Sequence, residues 1–294
     1  MKHAYLIIAH HEFEVLKRLV EALDDERNDI YIHFDKKVES LPVIVTEHAS
    51  LYIIKNRIDV RWGDVSQIAT EFALFEEAVQ HGPYGYYHLL SGVDMPIRSQ
   101  DFIHLFFTLY FGKEFIGFDQ RCCEKEIDKK VRRYHLFSGH FKRSGGVADL
   151  CRRGLRYLFL RMQYIFGIRR HRGMVFKKGS NWVSVTECFV RYLLSEKNRV
   201  METYQHSFCA DEIFLQTICW NSAFREKLFN PADDGLGCMR RINWKGNRVV
   251  DWQSRDFDEL MDSNALFARK FSSKDLALLD RITDKIRRDV EKVD

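Results

Sequence analysis

The stretch 208–222, FCADEIFLQTICWNS, sets two carboxylates, Asp211 and Glu212, between an apolar lead-in and an apolar run of helical character. An acid at that point can cap a helix, accepting from unpaired first-turn N–H groups while its charge suits the helix dipole. A glutamate there can also take a proton from an attacking hydroxyl. Other residues extend the second possibility. Asp35 closes DIYIHFD, Asp94 sits in SGVDMP, and lysines and arginines gather toward the C-terminal end. An aspartate can hydrogen-bond a ribose or a base, and cations can neutralise a diphosphate. Such a set suits transfer from a nucleotide-activated donor.

Several other chemistries lose ground. There is no G-x-x-x-x-G-K-[ST], no G-x-G-x-x-G after the first apolar run, and no G-x-S-x-G. His10 and His11 adjoin a strand end, where alternation sends neighbouring side chains to opposite faces, so they are not expected to share a metal. One D-x-D occurs, Asp256-Phe257-Asp258. It precedes a helical pattern, which favours a capping and solvated role over a metal site.

These residues need elements to hold them. AYLIIAH (4–10), DIYIHFD (29–35), SLYIIK (50–55), YYHLLSG (86–92) and EFIGFD (114–119) read as strands. Helical patterns lie between them. Residues 12–23 carry Val15, Leu16, Leu19, Val20 and Leu23 on one face. Residues 64–79 carry Val65, Ile68, Phe72, Phe75 and Val79, with Asp64 as a cap. A further helix is expected at 100–110 and another strand at 181–186. Alternation of this kind predicts an α/β fold with a mostly parallel sheet, whose ligand sits beyond the carboxyl ends of the strands. His10, Asp35 and the 91–96 loop occupy such ends.

The 294 residues are 46% hydrophobic and 30% charged, with only four prolines and no linker-like tract. One domain, 1–294, is therefore expected. Net charge is +4, yet residues 121–172 hold 15 Lys/Arg against 4 Asp/Glu. This basic helical insertion, at about 121–178, suggests a local anionic partner. Its LCRRGLRYLFLRMQYIFGIRRHR pattern places Leu155, Phe159, Met162 and Phe166 near one face. That face suits either packing on the domain or a membrane surface. Seven cysteines without a C-x-x-C pair argue against a disulfide scaffold and for reduced thiols. No apolar run approaches ~20 residues. The expectation is a cytoplasmic protein, or one peripheral on the inner face of the membrane.

Five segments in order, YIHFDKK, VRWGDVSQIA, YYHLLSGVDMPIRS, KKGSNWVSVT and ADEIFLQTICWNS, give the chain a resemblance to the core-2/I-branching enzymes, glycosyltransferase family 14, which includes protein xylosyltransferases. The resemblance runs from AYLIIAHHEFEVLKRLV to LFARKF. It implies a GT-A type nucleotide-sugar fold and inverting transfer without a metal or other cofactor. A UDP-sugar is the implied donor, with N-acetylglucosamine or xylose as its sugar. Glu212 matches the family's catalytic base, with Ala210 where the family carries proline, and Asp211 is left as the helix cap. Lys270 matches the lysine on the donor diphosphate. Its partner arginine is best matched by Arg248 in GNRVVDW, with Arg240 and Arg241 as the other candidates. Asp35 matches the nucleoside-contacting aspartate. His10, Trp62 and Asp94 join the donor side, and Arg133 and Trp182 the acceptor side. The implied acceptor is a glycan or lipid-linked glycan, and the basic stretch offers contact with an anionic membrane. Nucleic acid is not expected, since no recognition motif is present. Metal-dependent transfer, and a non-catalytic protein binding anionic lipid or polymer, are the alternatives.

Overall fold

A computed structural model describes residues 1–290 apart from 143 and 247. Its centre is a five-stranded sheet built from β1 (His3–Ala9), β2 (Asn28–Phe34), β3 (Ser50–Ile53), β4 (Tyr86–Ser91) and β6 (Ser184–Thr186), in the order β3-β2-β1-β4-β6. The first four strands are parallel, and β6 joins β4 antiparallel. The expected α/β class with a mostly parallel sheet is what the chain forms.

The apolar runs become central strands because both faces are covered. Along β1, Tyr5, Ile7 and Ala9 enter one core and Ala4 and Leu6 the other. The first core is closed by α1 (Phe13–Leu23), whose buried residues are the five expected from the helical spacing. The second is closed by α2 (Ser66–His81), which buries Ile68, Phe72 and Phe75. Asp64 accepts from Ser66 N at 2.9 Å at its start. The helix α3 (Gln100–Leu109) follows β4.

The expected strand at 114–119 is not one. Glu114 and Phe115 make single bridges to Leu228 and Ser184, and the chain then turns into a loop. A second sheet of three strands joins β5 (Asp94–Pro96), β10 (Phe267–Arg269) and β7 (Arg240–Ile242), with β10 between the other two. A hairpin pairs β8 (Trp244–Lys245) with β9 (Arg248–Val249).

The basic segment forms α4 (Glu124–Val131) and α5 (Gly146–Ile165). The remaining helices are α6 (Glu187–Ser195), α7 (Lys197–Tyr204), α8 (Phe214–Trp220), α9 (Asp234–Cys238), α10 (Phe257–Met261) and α11 (Leu276–Val290). None of the described helices is long and apolar enough to cross a membrane. All seven cysteines are free.

Candidate active site

The chain leaves β1 toward β2 on one side and returns to β4 on the other. At the carboxyl ends of those two strands lies a cleft of about 920 Å³. His10 and His11 line it beyond β1, and Ser91 and Val93 beyond β4. The two histidine rings stand side by side with centroids 4.1 Å apart, rather than on opposite faces. The strand ends at Ala9, so its alternation no longer governs them.

Glu212 also lines the cleft. It closes a single 3-10 turn, Ala210–Glu212, that follows Cys209 in the left-handed region at φ 48°. Backbone bonds pin both ends of this turn. Cys209 N donates to Gly63 O at 2.9 Å, and Gly179 N donates to Glu212 O at 3.0 Å. Both glycines are required. Gly63 has φ +77°, and a Cβ on it would stand 2.8 Å from the Phe208 ring. A Cβ on Gly179 would collide with the Gly117 carbonyl. Ala210 is buried, and the turn forms at the position where proline was looked for.

Asp211 does not cap the helix. The helix begins at Phe214 and its N-terminus has no side-chain cap. Asp211 is buried instead, and its Oδ2 accepts from Gln67 Nε2 of α2 at 2.9 Å. Burial, and then the neighbouring Glu212 charge, push its carboxyl up to about 7. Gln67 in turn accepts from Gly63 N, so α2 locks the turn from below.

The Glu212 carboxylate faces two lysines from the basic segment. Lys130 Nζ of α4 stands 3.1 Å from Oε2 and Lys178 Nζ 3.9 Å from the same oxygen. Glu126 joins both ammonium groups, at 3.0 and 3.3 Å, and Asp119 meets Lys178 at 3.3 Å. Burial works against the charge on Lys130, but Glu212 and Glu126 outweigh it and hold its pKa above the ordinary lysine value. Among the described residues no hydrogen bond occupies Glu212 Oε1.

Cations stand elsewhere on the cleft wall. Lys270, Lys274 and Arg269 line it. Lys270 is partly exposed and 3.4 Å from Asp251. Trp252 N donates to its carbonyl at 2.9 Å. Arg269 lies opposite Asp94 in the β10–β5 pairing, and its Nε is 3.2 Å from Asp94 Oδ1. Its guanidinium also lies over the Trp182 ring, 4.3 Å from the centroid. Asp94 is buried and accepts from Ser91 N at 3.0 Å and Ser91 Oγ at 2.6 Å.

The other expected residues separate into two groups. Trp62 and Trp182 line the cleft. Asp35 is buried at the end of β2, and its carboxylate is taken by Lys37 N at 2.9 Å and Lys37 Nζ at 2.8 Å. It is not among the residues that line the cleft. None of the three arginines offered as partners of Lys270 lines the cleft. Arg248 is exposed on the β8–β9 hairpin. Arg241 pairs with Glu259 at 2.6 Å. Arg240 is buried, donating to the Val183 carbonyl and Ser184 Oγ, both at 3.0 Å. Arg133 is a framework residue too. It pairs with Asp128 at 2.9 Å and lies over Tyr164, 4.2 Å from the ring centroid. The D-x-D acids are outside the cleft. Asp256 completes a capping box with Gln253, and Asp258 is exposed near Arg281.

Sequence reasoning missed Arg269, Lys130 and Lys178. Arg269 directly precedes Lys270 in LFARKF, and Lys178 opens KGSNWVSVT. Lys130 had no signal beyond the charge surplus of its segment. Among the described residues, no group of three or more His, Cys, Asp or Glu could hold a metal ion.

A model of the Core-2/I-Branching enzymes matches residues 3–277. The chain belongs to that family. That family is one of glycosyltransferases. Among curated relatives, xylosyltransferase 2 from Canis lupus familiaris and from Homo sapiens are each 24% identical over 295 residues, covering 92% of this chain. Xylosyltransferase 1 from Canis lupus familiaris is 23% identical over 297 residues. The chain spans about a third of the length of these relatives, 32% of the first. A crystal structure of mouse xyloside xylosyltransferase 1, apo form, overlaps 91% of this chain and 97% of its own, at 10% identity and a TM-score of 0.37. A likeness that remote bears no weight. This family member brings its acidic turn, Lys178 and the Lys270 wall to one cleft.

Proposed function

We propose that the chain is an inverting, metal-independent glycosyltransferase of GT-A type that moves a sugar from a UDP-sugar to a hydroxyl of a glycan acceptor. Xylose and N-acetylglucosamine are the favoured sugars, xylose gaining support from the names of the relatives. The observation that carries the reading is the Glu212 carboxylate, which lines the cleft with Oε2 held by Lys130 and with no hydrogen bond on Oε1 among the described residues.

Inversion needs one base on the face opposite the leaving group. Glu212 Oε1 takes the proton of the acceptor hydroxyl as its oxygen attacks the anomeric carbon. The bond to the diphosphate breaks, and UDP departs as a multiply charged anion. Lys270 and Lys274 meet that charge with charge-assisted hydrogen bonds. Arg269 is already engaged by Asp94 and Trp182, so its part is to hold the strand beneath Lys270. His10 and Trp62 frame the donor pocket, and Trp182 the acceptor side.

The test is Glu212→Gln. Transfer is expected to fall by about 10²–10⁴-fold, while UDP binding, read by calorimetry, stays near wild type. Activity in excess EDTA is expected to match that without it. Full activity in the variant would remove Glu212 from the reaction, and loss with chelation restored by Mn²⁺ would replace the metal-free mechanism.

A further inference from the structure

The helix α5 is mounted the wrong way round for a soluble protein. Its buried residues are polar, Asp149 and Gln163. Gln163 accepts from Tyr134 N at 2.8 Å and donates to Tyr134 O at 2.9 Å. Arg156 turns inward as well, donating to the carbonyls of Leu136, Phe137 and His140 at 3.1–3.3 Å and lying over the Phe141 ring. The outward stripe is apolar: Val147, Leu150, Leu158, Met162 and Ile165 follow one another at helical spacing, and Phe166 ends it. Val147, Ile165 and Phe166 are 79%, 78% and 70% exposed. Sequence reasoning placed Leu155, Phe159, Met162 and Phe166 near one face, suited either to packing on the domain or to a membrane surface. Of these, Leu155 and Met162 point outward, and only Phe159 turns partly in.

We propose that this face docks on an anionic lipid bilayer. The helix lies in the interface plane, its apolar stripe in the acyl boundary and its arginines on lipid phosphates. Charge argues for that occupant. Exposed Arg153 and Arg161 stand on the helix with the stripe, exposed Arg172 follows in the turn beyond it, and the one acid of the helix, Asp149, is buried. A second copy would meet this face with the same face, because a two-fold contact is isologous, and would set arginines against arginines. An anionic surface satisfies both the stripe and the arginines.

The helix is also coupled to the cleft. Arg156 packs on Phe141, Phe141 on Phe208 at 4.6 Å between centroids, and Phe208 on Trp62 at 5.4 Å. Trp62 lines the cleft, so a docked α5 fixes the cleft rim beside the membrane. An acceptor carried on a lipid would then reach Glu212. That last step rests on the proposed transferase reading, whereas bilayer binding does not.

The test is co-sedimentation of the full chain with phosphatidylcholine vesicles, with and without phosphatidylglycerol, in the absence of any sugar nucleotide. Affinity is expected to rise at least about tenfold with the acidic lipid and to weaken with added salt. The combined variant Leu150→Ser, Leu158→Ser, Ile165→Ser should lose at least about tenfold in binding. Its thermal unfolding should stay unchanged, because the three side chains are exposed. Arg153→Gln with Arg161→Gln should remove the preference for acidic lipid. Absence of binding at low salt would overturn the proposal. So would a concentration-dependent dimer, seen by light scattering, that the triple serine variant abolishes, since the face would then belong to a second copy.

Discussion

Lys130 Nζ stands 3.1 Å from Glu212 Oε2, joining residues 82 positions apart in the chain. The contact ties the basic segment to the acidic turn and orients one carboxylate oxygen, while the other has no hydrogen bond among the described residues. Lys130 is mostly buried, so the pair is less screened than a surface ion pair.

Under the proposed transfer mechanism Lys130 is a positioning residue. Lys130→Ala should lower kcat by about tenfold or more, in the range of a lost buried charge-assisted hydrogen bond. The donor KM should change little, and Lys130→Arg should recover part of the rate. Steady-state kinetics on the three proteins checks this, and an unchanged kcat in the alanine variant would refute the positioning role.

The proposed diphosphate wall makes a sharper contrast. Lys270→Ala should raise the donor KM about tenfold or more through loss of a charged partner. Arg248→Ala, on the exposed hairpin, should leave it within about twofold. If Arg248 mattered as much as Lys270, the hairpin would have to fold over the donor.

Glu71 offers a test through pH. It lies on α2 one turn beyond Gln67, is fully buried and lines the cleft. Burial, with the Asp211 charge beside it, pushes its carboxyl well above the usual carboxylate range, against the opposing pull of Asn181. A raised carboxyl pKa means that the folded chain binds the proton more tightly than the unfolded chain. The cost to stability is therefore absent below the unfolded value and grows as pH rises toward the folded one. Glu71→Gln removes the group. Its stability gain over wild type should grow as pH rises above the usual carboxylate range. Urea unfolding of both proteins at increasing pH measures it, and a pH-independent difference would contradict it.

Gly179 links stability to the site. Its N–H holds the Glu212 carbonyl, and a Cβ there would strike the Gly117 carbonyl. Gly179→Ala should cost about 1–3 kcal/mol through overpacking and should reduce kcat along with the urea midpoint. An alanine variant with wild-type turnover would show that the turn tolerates displacement.

The sequence by itself determined the α/β class, the central strands and the position of the cleft. The faces of α1 and α2 were equally legible, since Leu16 and Phe72 are buried where their spacing put them. These features follow from apolar periodicity, which is local, and a strand buried on both faces must be apolar throughout. Segment resemblance added Glu212 and Lys270, and both line the cleft. Tertiary structure decided the partners. Arg269 meets Asp94 across 175 residues, Lys130 meets Glu212 across 82, and Asp211 turns from a helix end to Gln67. It also decided which way α5 faces. A charged or polar side chain takes its role from whatever the fold brings within about 3–4 Å, and sequence spacing carries no record of that distance.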